Sequence, residues 1–107
     1  MELRYYRDKQ GHAPLTQWLD GLKDVRARAQ IRARLTRVGA GNLGDCKPLR
    51  DGVMELKIDH GPGYRVYLSR QGPRLVLLLC GGAKSSQSRD IELAIDYLND
   101  WENRGKP

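Results

Sequence analysis

Cysteine and histidine are both scarce in this chain, with two of each among its 107 residues. Cys46 and Cys80 are too few and too isolated for a disulfide framework or a zinc site. Cys80 ends a very apolar run, where a buried free thiol is the expected state. His12 and His60 show no H-x-x-x-H spacing and no acidic ligand cluster beside them, so neither a catalytic metal nor another cofactor is expected. No apolar run approaches the roughly 18–20 residues of a membrane span. The opening MELRYYRDK does not read as a signal peptide, and none is expected. Repeats, linkers and low-complexity tracts are missing as well. These absences lead to the expectation of a soluble, cytoplasmic protein with no membrane partner.

What is present suits one compact domain over residues 1–107. Lysine and arginine number 19 against 13 acidic residues, a formal charge of +6. That excess points to an acidic partner: nucleic acid, an anionic surface or an acidic protein. Composition does not choose among them.

The chain is organised around residues 47–92. Val53–Ile58 and Tyr64–Ser69 are split by Asp59-His60-Gly61-Pro62-Gly63, which predicts a β-hairpin with a loop of about five residues. Met54, Leu56 and Ile58 alternate with more polar positions, as do Tyr64, Val66 and Leu68. Both apolar sets share a face only if Ile58 pairs with Tyr64, Leu56 with Val66 and Met54 with Leu68. The same register sets Lys57 opposite Arg65 and Glu55 opposite Tyr67 on the other face. Two adjacent cations normally destabilise a strand pair. They read either as a seat for an anion or as solvated residues on an exposed sheet face that Glu55 helps to neutralise.

Around the hairpin, Leu3-Arg4-Tyr5-Tyr6 is a candidate edge strand. Pro14 opens a helix whose apolar positions are Leu15, Trp18, Leu19 and Leu22. A second helix is predicted over Asp24–Val38, with Ala27, Ile31, Leu35 and Val38 as its buried stripe. Arg26, Arg28, Arg32, Arg34 and Arg37 spread over its remaining surface, either as a solvated face or as a track for phosphates or acidic groups. Residues 74–80 are apolar on both faces and read as a central strand covered on both sides, closed by Gly81-Gly82. A final helix carries Ile91, Ala94, Ile95, Leu98 and Trp101, with Ser86 or Ser88 as its cap. Lys84, Ser85, Gln87 and Arg89 then sit where that strand meets a helix N-terminus, which suits either anion binding or an ordinary capped loop. The expected fold is α+β: a small, mainly antiparallel sheet with two N-terminal helices and a C-terminal helix.

The run KPLRDGVMELKIDHGPGYRVYL, followed by LVLLLCGGAKSSQSRDIELAIDYL, closely resembles the phage-derived, HigB-type branch of the RelE/ParE toxin superfamily. These are the addiction module killer proteins of bacterial type II toxin–antitoxin pairs. The resemblance covers nearly the whole chain; ELKI, GPGYRVY and LLCGGAKSSQ…DI are its most specific parts. It implies ribosome-dependent mRNA cleavage without a metal: a ribose 2′-OH attacks the adjacent phosphate, leaving a 2′,3′-cyclic phosphate and a free 5′-OH. It also implies a helix-turn-helix antitoxin from the adjacent gene, and operator DNA bound through the toxin–antitoxin complex.

By the same resemblance Lys57 and Arg65 clamp the phosphate, and Lys84 adds charge or protonates the leaving group. His60, at the hairpin tip, is a candidate base or a plain turn residue; Asp90 is a candidate acidic group or a helix-capping one. Arg89, Gln87, Ser85 and Tyr67 are candidate RNA contacts, Tyr67 by stacking on a base or by filling space beside it. Two departures stand out. Glu55 occupies a position where RelE-like toxins can carry a basic residue, and no tyrosine matches their catalytic C-terminal one. A ParE-like inhibitor of DNA gyrase and a non-catalytic module acting with its antitoxin are the competing expectations.

Overall fold

Side-chain alternation decides the hairpin. In a computed structural model that describes residues 1–105, β3 (Met54–Ile58) and β4 (Tyr64–Gln71) pair antiparallel. Their register is Met54–Leu68, Glu55–Tyr67, Leu56–Val66, Lys57–Arg65 and Ile58–Tyr64. Gly61 and Gly63 turn the chain between them with φ of +56° and +89°, a region that L side chains avoid.

Three further strands complete one five-stranded sheet in the order β1-β5-β4-β3-β2. β5 (Leu75–Ala83) runs antiparallel to β4, and β1 (Glu2–Tyr5) pairs with β5 in parallel. β2 (Cys46–Pro48) forms the other edge, antiparallel to β3. Sequence pattern does not reveal β2, because three residues ending in proline carry no alternation. The sheet is thus mostly antiparallel, with three helices: α1 (Pro14–Asp20), α2 (Val25–Gly39) and α3 (Gln87–Asn103). Leu22 falls beyond α1 rather than within it. Asp24 caps α2 instead of opening it, accepting from the backbone N–H groups of Arg26 and Ala27.

The helices cover both faces of the sheet. Leu15 and Leu19 of α1 and Ala27, Ile31, Leu35 and Val38 of α2 pack on Leu56, Ile58, Val66, Leu68, Val76 and Leu78. On the opposite face Ala94, Ile95, Leu98 and Trp101 of α3 pack on Tyr67, Leu77, Leu79 and Cys80. Each such large apolar side chain contributes roughly 1.5–3 kcal/mol by leaving water. A register irregularity between Tyr67 and Leu68 leaves Leu79 without a partner in the β4–β5 ladder, which puts Leu79 and Cys80 in the same cluster. Burial pushes the Cys80 thiol up to about 12.

Gly81 and Gly82 lie inside β5 and do not close it, contrary to the expectation from their turn-forming character. Their role is close approach. A Cβ on Gly81 would sit 2.5 Å from the Trp18 ring, and one on Gly82 would sit 1.8 Å from Asp90 Oδ2. The strand is stripped of side chains where α1 meets one face and α3 the other.

Arginines of α2 are largely engaged within the fold. Arg34 donates to the backbone carbonyls of Lys57 at 2.7 Å, Leu43 at 3.1 Å and Asp45 at 3.3 Å. Arg28 reaches Leu22 O, and Arg32 pairs with Asp20. The Arg34 fork therefore holds the connection into β2 against the end of β3. Arg34→Met should lower unfolding free energy by about 1–3 kcal/mol in urea titration. Arg34→Lys should recover little of it, because an ammonium cannot span three carbonyls as a planar fork does.

Tyr6, just past β1, stacks on Tyr97 of α3 with ring centroids 4.8 Å apart. Its hydroxyl donates to Asp100 Oδ2 at 2.6 Å. Burial, then the Asp100 carboxylate, raise the Tyr6 phenol from 10.0 to about 12. A raised folded-state pKa contributes stability that is complete below the unfolded value and lost as pH climbs through the folded one. The melting temperature should therefore fall between pH 10 and about 12, and Tyr6→Phe should flatten that decline while lowering stability at neutral pH.

Candidate active site

On the α3 side of the hairpin the alternation places Glu55, Lys57, Arg65 and Tyr67 together. This face is not the solvated one that its polar residues suggest. α3 and the 3-10 turn Lys84–Ser86 lie beside it, leaving Glu55 2% and Arg65 7% exposed. Lys57 alone of the four is exposed. Tyr67 is fully buried, so the expected stacking on a base is not available to it, and burial lifts its phenol well above the ordinary range.

Arg65 is the unusual group. Its Nε lies 3.5 Å from Glu55 Oε1, an ion pair with no hydrogen bond in it. Arg65 Nε and Nη1 are both buried without a hydrogen-bonding partner, as is Tyr67 Oη. Leaving such groups unmet is costly, and native structures rarely do so. Arg65 also helps to line a cavity of about 220 Å³, together with Asp45, Lys47, Glu55 and Lys57. Three cations and two carboxylates wall it, with Arg65 and Glu55 as the buried members.

Sequence pattern does not point to Asp45 and Lys47 as part of this wall. β2 brings them there, with Lys47 paired to Glu55 and Lys57 N–H donating to Asp45 O at 3.0 Å. The usable signal is the hairpin register itself, since a third strand beside β3 has to flank Glu55.

A second cavity, of about 390 Å³, is lined by residues 84–89. Lys84 N–H donates to Gly63 O at 3.0 Å, which ties this segment to the hairpin loop. Gln87 Nε2 donates to Glu55 Oε2 at 2.7 Å. That bond joins the walls of the two cavities. Lys84, Ser85 and Arg89 are exposed here, Arg89 with its Nε 4.0 Å from Asp90 Oδ1.

The chain is 56% identical over 77 residues to an uncharacterized protein of Haemophilus influenzae. The two proteins belong to one family. The matched segment covers 72% of this chain and 78% of its relative. No protein-family model matches the chain.

Neither Asp90 nor His60 lines the Arg65 cavity. Asp90, 6% exposed, sits in the first turn of α3, over Gly82. Ser86 Oγ donates to its Oδ2 at 2.5 Å, with Ala83 O at 3.2 Å competing for the same proton. Ser86 occupies the N-cap position of α3 without capping a backbone N–H through its side chain; its hydroxyl serves Asp90 instead. His60 is held against α2, with Nε2 3.3 Å from Asp24 Oδ2 and Nδ1 3.2 Å from Gln30 Nε2. The backbone N–H of Ala27, with a smaller contribution from His60, holds the Asp24 carboxyl below its ordinary value. Among the described residues no group of three or more His, Cys, Asp or Glu side chains converges, and no helix is long and apolar enough to cross a membrane.

Proposed function

We propose that this chain is the toxin of a type II toxin–antitoxin system, a cytoplasmic, ribosome-dependent mRNA endoribonuclease of the RelE/ParE, HigB-like kind. A helix-turn-helix antitoxin neutralises it, and the pair binds operator DNA. The observation that carries this reading is the buried Arg65 guanidinium, two of whose nitrogens lack partners beside a cavity it shares with Lys57. A phosphodiester supplies what those donors lack: an anionic acceptor with several oxygens, suited to a guanidinium fork.

The chemistry needs three things. Negative charge that builds on the pentacovalent phosphorane is met by the buried Arg65, with the exposed Lys57 and Lys47 lining the same cavity. The attacking 2′-OH must lose a proton; Glu55 is the buried carboxylate of this cavity and takes that role, while His60 faces α2. The leaving 5′-oxygen must gain a proton or a neutralising charge, which is assigned to Lys84 at the hairpin loop. Arg89 and Ser85 are exposed and are assigned to the RNA backbone; Asp90, over Gly82, supports the start of α3.

The ion pair between Glu55 and Arg65 favours a second reading, a non-catalytic module, because it offsets part of the positive charge that a nuclease needs. Brief induction in a host lacking the antitoxin, followed by mapping of mRNA 5′ ends, separates the two. New ends that require translation are expected. Arrest with whole mRNA and trapped gyrase–DNA complexes would indicate a ParE-like inhibitor, and no arrest would leave a binding module.

A further inference from the structure

We propose that Gln87 is a positioning residue that keeps Glu55 from closing onto Arg65, and so keeps the guanidinium open for phosphate. The proposal rests on the assignment of the Arg65 cavity as a phosphate site. The family resemblance makes Gln87 a candidate RNA contact. Its donor nitrogen is spent otherwise, on Glu55 Oε2 at 2.7 Å. A carboxylate of an ion pair only accepts, so the amide must turn its nitrogen toward Glu55 and its oxygen away.

The geometry of the ion pair gives the bond its meaning. Glu55 is 2% exposed, and Arg65 Nε and Nη1 have no hydrogen-bonding partner. A buried carboxylate so near would be expected to swing in and satisfy them, as charge-assisted pairs at 2.7–2.9 Å do. It stops at 3.5 Å. Gln87 pulls on the other oxygen, and it does so from a rigid support. It is the first residue of α3, which is anchored on the sheet through Ala94, Ile95, Leu98 and Trp101. Without that pull Glu55 would close the pair, occupying the phosphate anchor and the proton acceptor together.

Inorganic phosphate is the probe, and the Arg65 Nε–H resonance in nitrogen-15-labelled full-length protein is the readout. Gln87→Met keeps length and helix propensity but has no donor. It should displace the Arg65 Nε–H signal before any phosphate is added, and weaken phosphate binding about tenfold, as loss of a hydrogen bond to a charged group does. Gln87→Glu, which sets a second carboxylate against Glu55, should weaken it further. In a Glu55→Gln background, Gln87→Met should change phosphate binding little, since no carboxylate is left to close. Wild-type phosphate affinity in Gln87→Met would overturn the proposal. An equal loss in both backgrounds would also overturn it, by showing that Gln87 meets the ligand directly. A wild-type protein whose Arg65 signal ignores phosphate would instead remove the phosphate-site reading, and this proposal with it.

Discussion

Arg65→Ala should abolish mRNA cleavage and also destabilise the fold, by about 3–5 kcal/mol, because it strands the buried Glu55 carboxylate. Loss of toxicity in that variant alone would therefore say little about catalysis. The informative protein is the double variant Glu55→Gln with Arg65→Met. It removes both charges, keeps volume, and leaves an amide oxygen at position 55 to accept from Gln87. Its urea midpoint should return close to that of the wild type, as replaced buried ion pairs commonly do. Cleavage on programmed ribosomes should stay down by at least about 10²–10³-fold, the usual loss when a donor to transition-state charge is removed. A stable double variant that still cuts mRNA would take Arg65 and Glu55 out of the chemistry. A third protein, Glu55→Gln alone, separates the two roles. Its cavity is more positive, so phosphate should bind at least as well, yet turnover should fall about 10²–10⁴-fold for want of the proton acceptor.

The hairpin face shows where sequence reading succeeds and where it stops. All five β3–β4 pairs follow from alternation, because a one-residue slip would turn Leu56 and Val66 away from the helix pair. The helix stripes are legible for the same reason, and so is the apolar run of β5, too short for a helix and covered on both faces. Alternation assigns residues to faces but does not say what covers a face. Glu55, Lys57 and Arg65 read as solvent-facing because they are polar, whereas α3 and the turn before it bury two of the three. The information that would have shown this is long-range: the pairing of Gln87 with Glu55 across 32 positions. His60 is a different case. A residue at a loop tip belongs to no period, so only the completed fold shows that it turns to Asp24 and Gln30. β1 was legible as a strand, but its parallel pairing with β5 was not, since four residues do not encode a direction.

Gly81 and Gly82 carry the other large effect. Their common reading is a strand end, and on that reading alanine at either position would be nearly harmless. The structure requires the opposite. A Cβ at Gly82 would come within 1.8 Å of Asp90 Oδ2 and 2.9 Å of Ser86 Oγ. Asp90 is buried and pinned by Ser86, so it has little freedom to yield. Gly82→Ala should cost about 3 kcal/mol or more, at the upper end for overpacking. Adding Asp90→Ala removes the atom that clashes and should recover a large part, a non-additivity of about 0.5–3 kcal/mol in a double-mutant cycle. Gly81→Ala meets the Trp18 ring on the other face, so Asp90→Ala should not rescue it. The functional consequence follows from the same contact. Pushing Asp90 away shifts the first turn of α3, and Gln87 starts that turn. Gly82→Ala should therefore lose cleavage even at temperatures where it remains folded, while Gly81→Ala, at matched stability, should retain it. Equal activity in the two folded variants would mean that the start of α3 does not govern the Arg65 cavity.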